Sequence, residues 1–331
     1  MTSPLRTDTE IQQWFAGKSV LITGGGGYIA SHIISQLSAV ECRIVRAMRQ
    51  ERAAPVCERA IIEDRICDVR EARVWPELLH RIDIVFHLAA QTSTYEANRD
   101  PASDLRANVL PMLAMMLACR GLKVSPVVVS ASTVTICGLP ETIPVNEDHP
   151  ELPVTMYDLH KQMAENYLKY HARDGLVQGA SLRLANVYGP GPRSSRMDRG
   201  ILNQMVARSF RGEDITVYGA GEQIRDYVYV EDVARAFIAA AWRMPALNGG
   251  HFIISRGEGH SIMTAMQLVA DRVMAHTGRM AAVISVAPPE GLSPIESRNF
   301  VGDTSRFRAA TGWEARVGLA EGIDAIVGSL E

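Results

Sequence analysis

Four consecutive glycines, between an apolar stretch and a helix-forming stretch, constrain the fold of this chain most strongly. The apolar residues 18–23 are predicted to form a short buried strand, and residues 28–37 the helix that follows it. In a strand–turn–helix unit of this kind, glycines let backbone amides and the positive end of the helix approach a pyrophosphate, although a glycine-rich turn alone is also compatible with a simple bend. The residues predicted to border a dinucleotide here are Gly24, Gly27, Tyr28 and Ile29.

Short apolar stretches continue to alternate with helical ones through the first half of the chain. Further strands are predicted at 42–47, 82–89, 126–130 and 179–184, and helices at 102–119 and 157–173. This alternation predicts an α/β fold of the Rossmann type, a doubly wound parallel sheet with a smaller, mixed α/β C-terminal substrate lobe. We expect the dinucleotide-binding domain over 1–185, with 227–253 returning to it, and the lobe over 186–226 and 254–331.

Charge and cysteine content exclude several classes of protein. A formal net charge of −3 argues against a basic surface for nucleic acid or membrane. The five cysteines have no metal-ligand spacing, so we expect no metal site and a reducing compartment. The N-terminus lacks the basic start and apolar core of a signal peptide, and we find no apolar run of the ~18 residues that span a bilayer. These features predict a cytoplasmic protein.

The second predicted strand ends without the acidic residue that usually binds the ribose 2′-hydroxyl of NAD. Arg46 and Arg49 stand there instead, and an arginine at this place suits the 2′-phosphate of NADP. We therefore expect NAD(P), with NADP slightly favoured; solvated surface arginines are the alternative. Asp68 and Val69, before the next helix, are expected beside the adenine, although a helix-capping aspartate is an equally simple explanation.

Tyr157 and Lys161 lie four residues apart, on one face of the predicted helix. A lysine ammonium in this position lowers the pKa of the phenol, which then accepts or donates the proton when hydride is transferred at a hydroxyl carbon. Because a tyrosine and a lysine at this spacing recur by chance, the interpretation also requires a hydroxyl residue that orients the substrate. Ser132 and Thr133 end the strand upstream and offer a hydroxyl to orient the substrate oxygen.

Six segments occur in a characteristic order over nearly the whole chain. They are TGGGGYIAS (23–31), HLAAQTS (87–93), ST (132–133) before CG (137–138), YDLHK (157–161), LRLANVYGPG (182–191) and QIRDYVYVEDVARA (223–236). With them the chain resembles the extended short-chain dehydrogenase/reductases, specifically the NAD(P)-dependent nucleotide-sugar epimerases and dehydratases. The resemblance implies a nucleotide-diphosphate sugar as substrate and a homodimer formed by the helices at 102–119 and 157–173.

The resemblance also implies roles for individual residues. Tyr157 is the expected acid/base, Lys161 its partner and a nicotinamide-ribose ligand, and Thr133 the hydroxyl donor, with Ser132 as the fallback. Near the cofactor we expect Leu88, Ala89, Ala90 and the supporting Asn108. For the substrate we expect Thr92, Ser132, Thr133, Asn186, Arg225 and Arg298, with residues 193–199 shaping specificity.

Residues after the catalytic threonine narrow the reaction. Family dehydratases carry an acid pair there, whereas this chain has Val134 and Thr135, which transfer protons poorly. Two readings remain: an epimerase that returns the hydride to the other face of the sugar, which we favour, and an NADPH-dependent ketoreductase. A non-catalytic cofactor sensor is less favoured, because the residues Thr133, Tyr157 and Lys161 are all present.

Overall fold

The computed structural model describes residues 10–11, 13–53, 55–192 and 200–331. Its strands are β1 Ser19–Thr23, β2 Arg43–Met48, β3 Ile61–Ile66, β4 Ile84–His87, β5 Val127–Thr133, β6 Gln178–Leu184, β7 Asn186–Tyr188, β8 Ile215–Tyr218, β9 Ile224–Tyr229, β10 His251–Ile254, β11 Gly259–Ser261 and β12 Val283–Val286. Its α-helices are α1 Tyr28–Leu37, α2 Trp75–Leu78, α3 Thr94–Arg99, α4 Pro101–Asn108, α5 Leu110–Leu122, α6 Met156–Arg173, α7 Ile201–Phe210, α8 Val230–Trp242, α9 Met244–Leu247, α10 Ile262–Thr277, α11 Ser305–Thr311 and α12 Leu319–Gly328.

Seven parallel strands form the central sheet, in the order β10-β6-β5-β4-β1-β2-β3. Alternate residues of β1 face opposite layers of helices: Val20 and Ile22 pack with α1 and α8, whereas Leu21 packs with α5 and α6. This arrangement confirms the predicted doubly wound sheet. Because the strands are parallel, the carboxyl ends of β1, β4 and β5 meet at one edge, where such folds bind ligands.

Two smaller sheets build the C-terminal part of the chain, one of three strands in the order β11-β9-β7 and one formed by β12 and β8. Strand β9 pairs with β7 and β11, whereas α8 packs against α1, and β10 pairs with β6 of the central sheet. The chain therefore returns to the central sheet at Val230, three residues later than expected from the sequence. The division into two domains stays a prediction.

Two elements differ from those expected. Strand β3 was not anticipated, because its sequence IIEDRI is half charged, as suits the outermost strand of a sheet. The helix expected at 102–119 is two helices, α4 and α5, separated at Val109. Pro111 explains the break, because it has no N–H to donate to the carbonyl four residues earlier.

One stretch of the described residues, Pro101–Leu122, is long and apolar enough to cross a membrane by length and composition. The expectation that no such stretch exists was therefore wrong. In the fold, Met112, Met115 and Met116 are fully buried and pack against Leu21 and Leu168 of the core. This packing accounts for the buried part of the stretch, while Leu117 and Leu122 remain exposed in the single chain.

Candidate active site

The glycine-rich turn and the end of β4 are in direct contact at the sheet edge. The backbone amides of Leu88 and Ala89 each donate to Thr23 Oγ1 at 3.1 Å, and His87 Nδ1 lies 3.0 Å from the same oxygen. Gly24 has a φ of +68°, and a Cβ there would lie 3.0 Å from the nitrogen of Ala89. Only glycine therefore fits between β1 and the segment that follows β4.

The start of helix α1 is kept free of side chains. A Cβ on Gly25 would lie 2.5 Å from Arg46 Cβ, and one on Gly27 would lie 2.9 Å from the carbonyl oxygen of Gly24. Gly27 is the N-cap of α1, and no side chain caps the helix or places an acid in its first turn. The backbone amides at the start of this helix are not capped by a side chain, and such amides suit the binding of a pyrophosphate. Tyr28 and Ile29 lie in this first turn, as the predicted dinucleotide site requires.

Arg46 does not face a 2′-phosphate, and this prediction was wrong. Its guanidinium is 1% exposed and forms a bidentate ion pair with Asp64, at 2.7 Å for both contacts. The same group donates to the carbonyl oxygens of Arg52 and Ala53. Residues Arg46 and Asp64 are directly paired in the register of β2 and β3, which explains the contact.

Two other arginines follow β2, and one of them lies against the turn. Arg49 is exposed. The pKa of Asp68 is lowered chiefly by a hydrogen bond from Arg70, and the charge of Arg49 contributes to the same lowering. Arg52 is also exposed, and its Cδ lies 2.8 Å from where a Cβ on Gly26 would be. Sequence reasoning missed Arg52, because only the fold of the loop after β2 brings it to the turn.

Asp68 and Val69, the residues expected near the adenine, follow β3. The Asp68 carboxylate accepts hydrogen bonds from the backbone and the guanidinium of Arg70 and so forms a local turn. Val69 is buried in the core beneath it. Asp68 does not cap the short helix that follows, whose N-cap is Glu71, so the helix-capping alternative was wrong, and an adenine contact stays a prediction.

Helix α6 brings Tyr157 and Lys161 to the sheet edge. The helix begins with a capping box in which Thr155 and Asp158 bond each other's backbone amides. Lys161 Nζ donates to the carbonyl oxygen of Ala131, in β5, at 2.6 Å. Burial, and secondarily the positive charge of Lys161, lower the pKa of His87 to about 3. The lysine thus lies next to the ends of both β4 and β5.

The two hydroxyls at the end of β5 have different partners. Ser132 Oγ donates to Glu165 Oε2 at 2.8 Å, behind the sheet edge. Thr133 Oγ1 instead lies 2.8 Å from Thr135 Oγ1 and accepts from the Thr135 amide at 3.2 Å. Ser132 as a substrate ligand, and as the fallback for Thr133, was therefore a wrong expectation, because its hydroxyl is committed to a buried carboxylate.

Glu165 belongs to a buried cluster of charges that the sequence did not reveal. Its carboxylate is paired with Arg183 and Lys169, each at 2.6 Å, and Arg183 also bonds Glu151. Glu151, Glu165 and His251 lie close enough together to resemble a metal site. Since Arg183 and Lys169 already balance the carboxylates, the cluster is an ion-pair network that joins α6 to β6.

A pair of buried arginines lies on the substrate side. Arg225 donates to the carbonyl oxygen of Glu296 at 2.8 Å and to that of Arg298, and its ion-pair distance to the half-exposed Glu296 carboxylate is 3.8 Å. Arg298 Nη2 lies 3.5 Å from Asn186 Oδ1, while its buried Nε has no acceptor among the described residues. Burial and the charge of Arg225 lower the pKa of Arg298 to about 10.

This arrangement has the electrostatics of an anion site. Two adjacent, nearly buried guanidinium groups, for which the half-exposed Glu296 carboxylate at 3.8 Å from Arg225 is the ion-pair partner among the described residues, favour a bound anion that neutralises them. Asp158 follows Tyr157 in the chain. Burial raises the pKa of its carboxyl group, and the positive charge of Arg298 opposes this shift. The start of helix α6 and the arginine pair are therefore electrostatic neighbours.

The remaining predicted residues lie in the segment after β4 and in α4. Leu88 and Ala89 are half-buried, Ala90 is exposed, and Thr92 is half-buried before the N-cap of α3. Asn108 is buried, and its amide donates to the carbonyl oxygen of Gln91 at 2.9 Å. Residues 193–199, expected to shape specificity, lie outside the described residues.

Comparisons with known proteins agree with this geometry. The model of the "NAD dependent epimerase/dehydratase family" matches residues 20–255. The chain is 29% identical to the UDP-glucose 4-epimerase of Mycolicibacterium smegmatis, over 92% of this chain and 95% of that protein. It is 26% identical to the dTDP-4-dehydro-6-deoxyglucose reductase of Escherichia coli, over 94% and 97% of the two chains.

A solved structure is similar over the same extent. The UDP-glucose 4-epimerase of Thermotoga maritima, in complex with UDP-glucose, superposes with a TM-score of 0.82 at 28% identity. The similarity covers 94% of this chain and 98% of that one.

Proposed function

Because the chain belongs to the NAD-dependent epimerase/dehydratase family, we propose that it is a nucleotide-sugar epimerase. In this proposal a sugar hydroxyl is transiently oxidised to a ketone, and the hydride returns to the opposite face. What supports it is that Lys161, one turn after Tyr157 in α6, bonds to β5, which ends at Thr133, and that Arg225 and Arg298 form a buried pair. NAD(P) is the cofactor that the turn and the family support.

The chain's own residues account for the proton transfer. Tyr157 accepts the hydroxyl proton during oxidation and returns it during reduction, so one phenol serves both directions. Lys161, fixed by the Ala131 carbonyl, favours the phenolate by its charge. Thr133 presents its hydroxyl to the reacting oxygen, and Thr135 orients that hydroxyl. When bound, the nicotinamide supplies the site that takes up and returns hydride.

The arginine pair supports a nucleotide diphosphate as the anchoring part of the substrate. A guanidinium binds phosphate oxygens through charge-assisted hydrogen bonds, and burial strengthens them. Arg298 has a buried Nε that still lacks an acceptor, and Asn186 lies beside its Nη2. An anchored diphosphate leaves the sugar as the part that reorients between oxidation and reduction.

The alternative function is an NADPH-dependent ketoreductase, and one observation favours it. Arg49 and Arg52 are exposed after β2, and Arg52 lies against the glycine-rich turn, where an arginine suits the 2′-phosphate of NADP. A preference for NADP would then depend on Arg49 and Arg52 rather than on the buried Arg46. Val134 and Thr135 offer no carboxyl group, which disfavours dehydration and decarboxylation.

We also propose a homodimer formed by helices α5 and α6, which pack against each other. Leu117 in α5 is 57% exposed and Tyr170 in α6 is 64% exposed, so both helices present large apolar side chains to solvent in the single chain. A cytoplasmic location stays a prediction.

The test uses UDP-glucose, UDP-galactose and their N-acetyl and uronic acid counterparts as separate substrates, with products identified by proton NMR. We expect one pair to interconvert from both sides. Tyr157→Phe should abolish interconversion and leave the content of bound cofactor unchanged, because the phenol contributes the proton and not the binding energy. Full turnover by this variant contradicts the proposed mechanism.

A further inference from the structure

His160 lies between Tyr157 and Lys161 in helix α6, and the proposed chemistry gives it no role. Its Nδ1 is 2.6 Å from Asp104 Oδ2 in helix α4, and the two side chains are 6% and 1% exposed. Polar groups withdrawn from water this completely are costly unless they are paired. The contact therefore fixes α4 against α6 within one residue of Lys161.

The second oxygen of Asp104 extends this contact to the segment after β4. Oδ1 accepts from Gln91 Nε2 at 2.7 Å and from Asn108 Nδ2 at 2.9 Å. Asn108 Nδ2 also donates to the backbone carbonyl of Gln91, and Gln91 Nε2 donates to that of Ser93. The buried Asp104 carboxylate thus accepts hydrogen bonds from the loop after β4, from its own helix α4 and from His160 in helix α6.

The loop in question is the one that touches the glycine-rich turn. Residues 88–93 begin with Leu88 and Ala89, which bond to Thr23 and contact Gly24. Tyr157 lies in the same helix as His160 and Lys161, about one turn before them. A continuous series of contacts therefore runs from the glycine-rich turn through the loop 88–93 and Asp104 to His160. It connects the residues expected to bind the cofactor with the helix expected to transfer the proton.

We infer that His160 is a positioning residue that, through Asp104, sets the distance between the loop 88–93 and Tyr157. The inference rests on the proposed hydride transfer, in which the two sides act on the same carbon. Misplacement of reacting groups by about 1 Å can cost about a hundredfold in rate, so a buried link of this kind affects turnover more than substrate binding.

The geometry of the link allows a selective rescue. An asparagine at position 160 can place its amide nitrogen near the former Nδ1, which is the atom bonded to Asp104. Glutamine extends one bond further, and leucine fills the space without a donor. The variants are therefore His160→Asn, His160→Gln and His160→Leu. The matched control is His171→Leu, which removes a buried histidine of the same helix whose Nδ1 has no partner among the described residues.

Hydrogen exchange of the full-length protein, followed by mass spectrometry, tests the link without any assay of turnover. We expect faster exchange in peptides covering 88–93 for His160→Leu and His160→Gln, and near-normal exchange for His160→Asn and His171→Leu. Unchanged exchange in the loop of His160→Leu overturns the inference, as does equally fast exchange in His171→Leu.

Turnover of the same variants tests the consequence for the reaction. We expect kcat to fall about tenfold or more in His160→Leu, with KM for the nucleotide sugar within about twofold, and His160→Asn to recover most of the loss. A rise in KM with unchanged kcat, or no recovery in His160→Asn, overturns the inference. An inactive wild-type protein would count against the proposed function instead, and the exchange experiment would still decide the link.

Discussion

His87 gives the sharpest prediction about the stability of the site. It is almost fully buried at the end of β4, its Nδ1 lies 3.0 Å from Thr23 Oγ1, and the charge of Lys161 is close by. Burial first, and Lys161 second, lower its pKa from 6.5 to about 3. The folded protein therefore holds this imidazole neutral at pH values where an unfolded chain would protonate it.

The direction of the effect follows from the lowered pKa. The contribution of His87 to stability is fully present above pH 6.5 and is lost as the pH falls from 6.5 towards 3, because only the unfolded state takes up the proton. Each pH unit in this window costs about 1.4 kcal/mol. Between about pH 7.5 and 4.5 the loss amounts to about 3 kcal/mol.

The assay is urea unfolding of the wild type and of His87→Gln at both pH values. Glutamine retains a hydrogen bond to Thr23 and does not titrate, so the variant should lose about 3 kcal/mol less than the wild type on acidification. The exposed His80 supplies the control, and His80→Gln should behave like the wild type. Equal losses for the wild type and His87→Gln would refute the reasoning, because other titrating groups are common to both.

Three further predictions concern the ligands and the assembly. Arg298→Met should weaken UDP binding about tenfold or more in calorimetry, because a buried charge-assisted contact is lost; unchanged affinity contradicts the anion site. Arg52→Ala should weaken NADPH about tenfold more than NADH in fluorescence titrations, and equal losses contradict a 2′-phosphate contact. Leu117→Glu should convert a dimer to a monomer in light scattering, because it buries an unpaired charge at the interface, whereas the exposed Arg73→Glu should not. A dimeric Leu117→Glu contradicts the proposed interface.

The glycine-rich turn and the parallel sheet were predictable because local rules dictate them. One continuous segment contains a buried strand, glycines that leave no room for a Cβ and the first turn of a helix. Neighbouring residues therefore suffice to recognise it. The same holds for Tyr157 and Lys161, which a single helix presents one turn apart.

The wrong predictions concern residues whose contacts in the fold lie far away in the sequence. Arg46 was expected to face the cofactor, but β3 places Asp64 directly opposite it, and that polar edge strand has no apolar pattern to reveal it. Ser132 and Thr133 look equivalent in the sequence, yet the pleat of β5 turns them to opposite faces, and only one reaches Glu165. Pairing between strands and the burial of remote charges decide such cases.

The central claim, that the hydride returns to the sugar from which it came, is tested most directly by absorbance at 340 nm. The wild type is given a nucleotide sugar with oxidised NAD(P)+ and, in separate samples, a nucleotide ketosugar with NADPH; epimer formation is quantified in the first set and NADPH consumption in the second. We expect many turnovers with no net change in absorbance. Loss of one NADPH for each product formed would contradict the epimerase and establish the reductase.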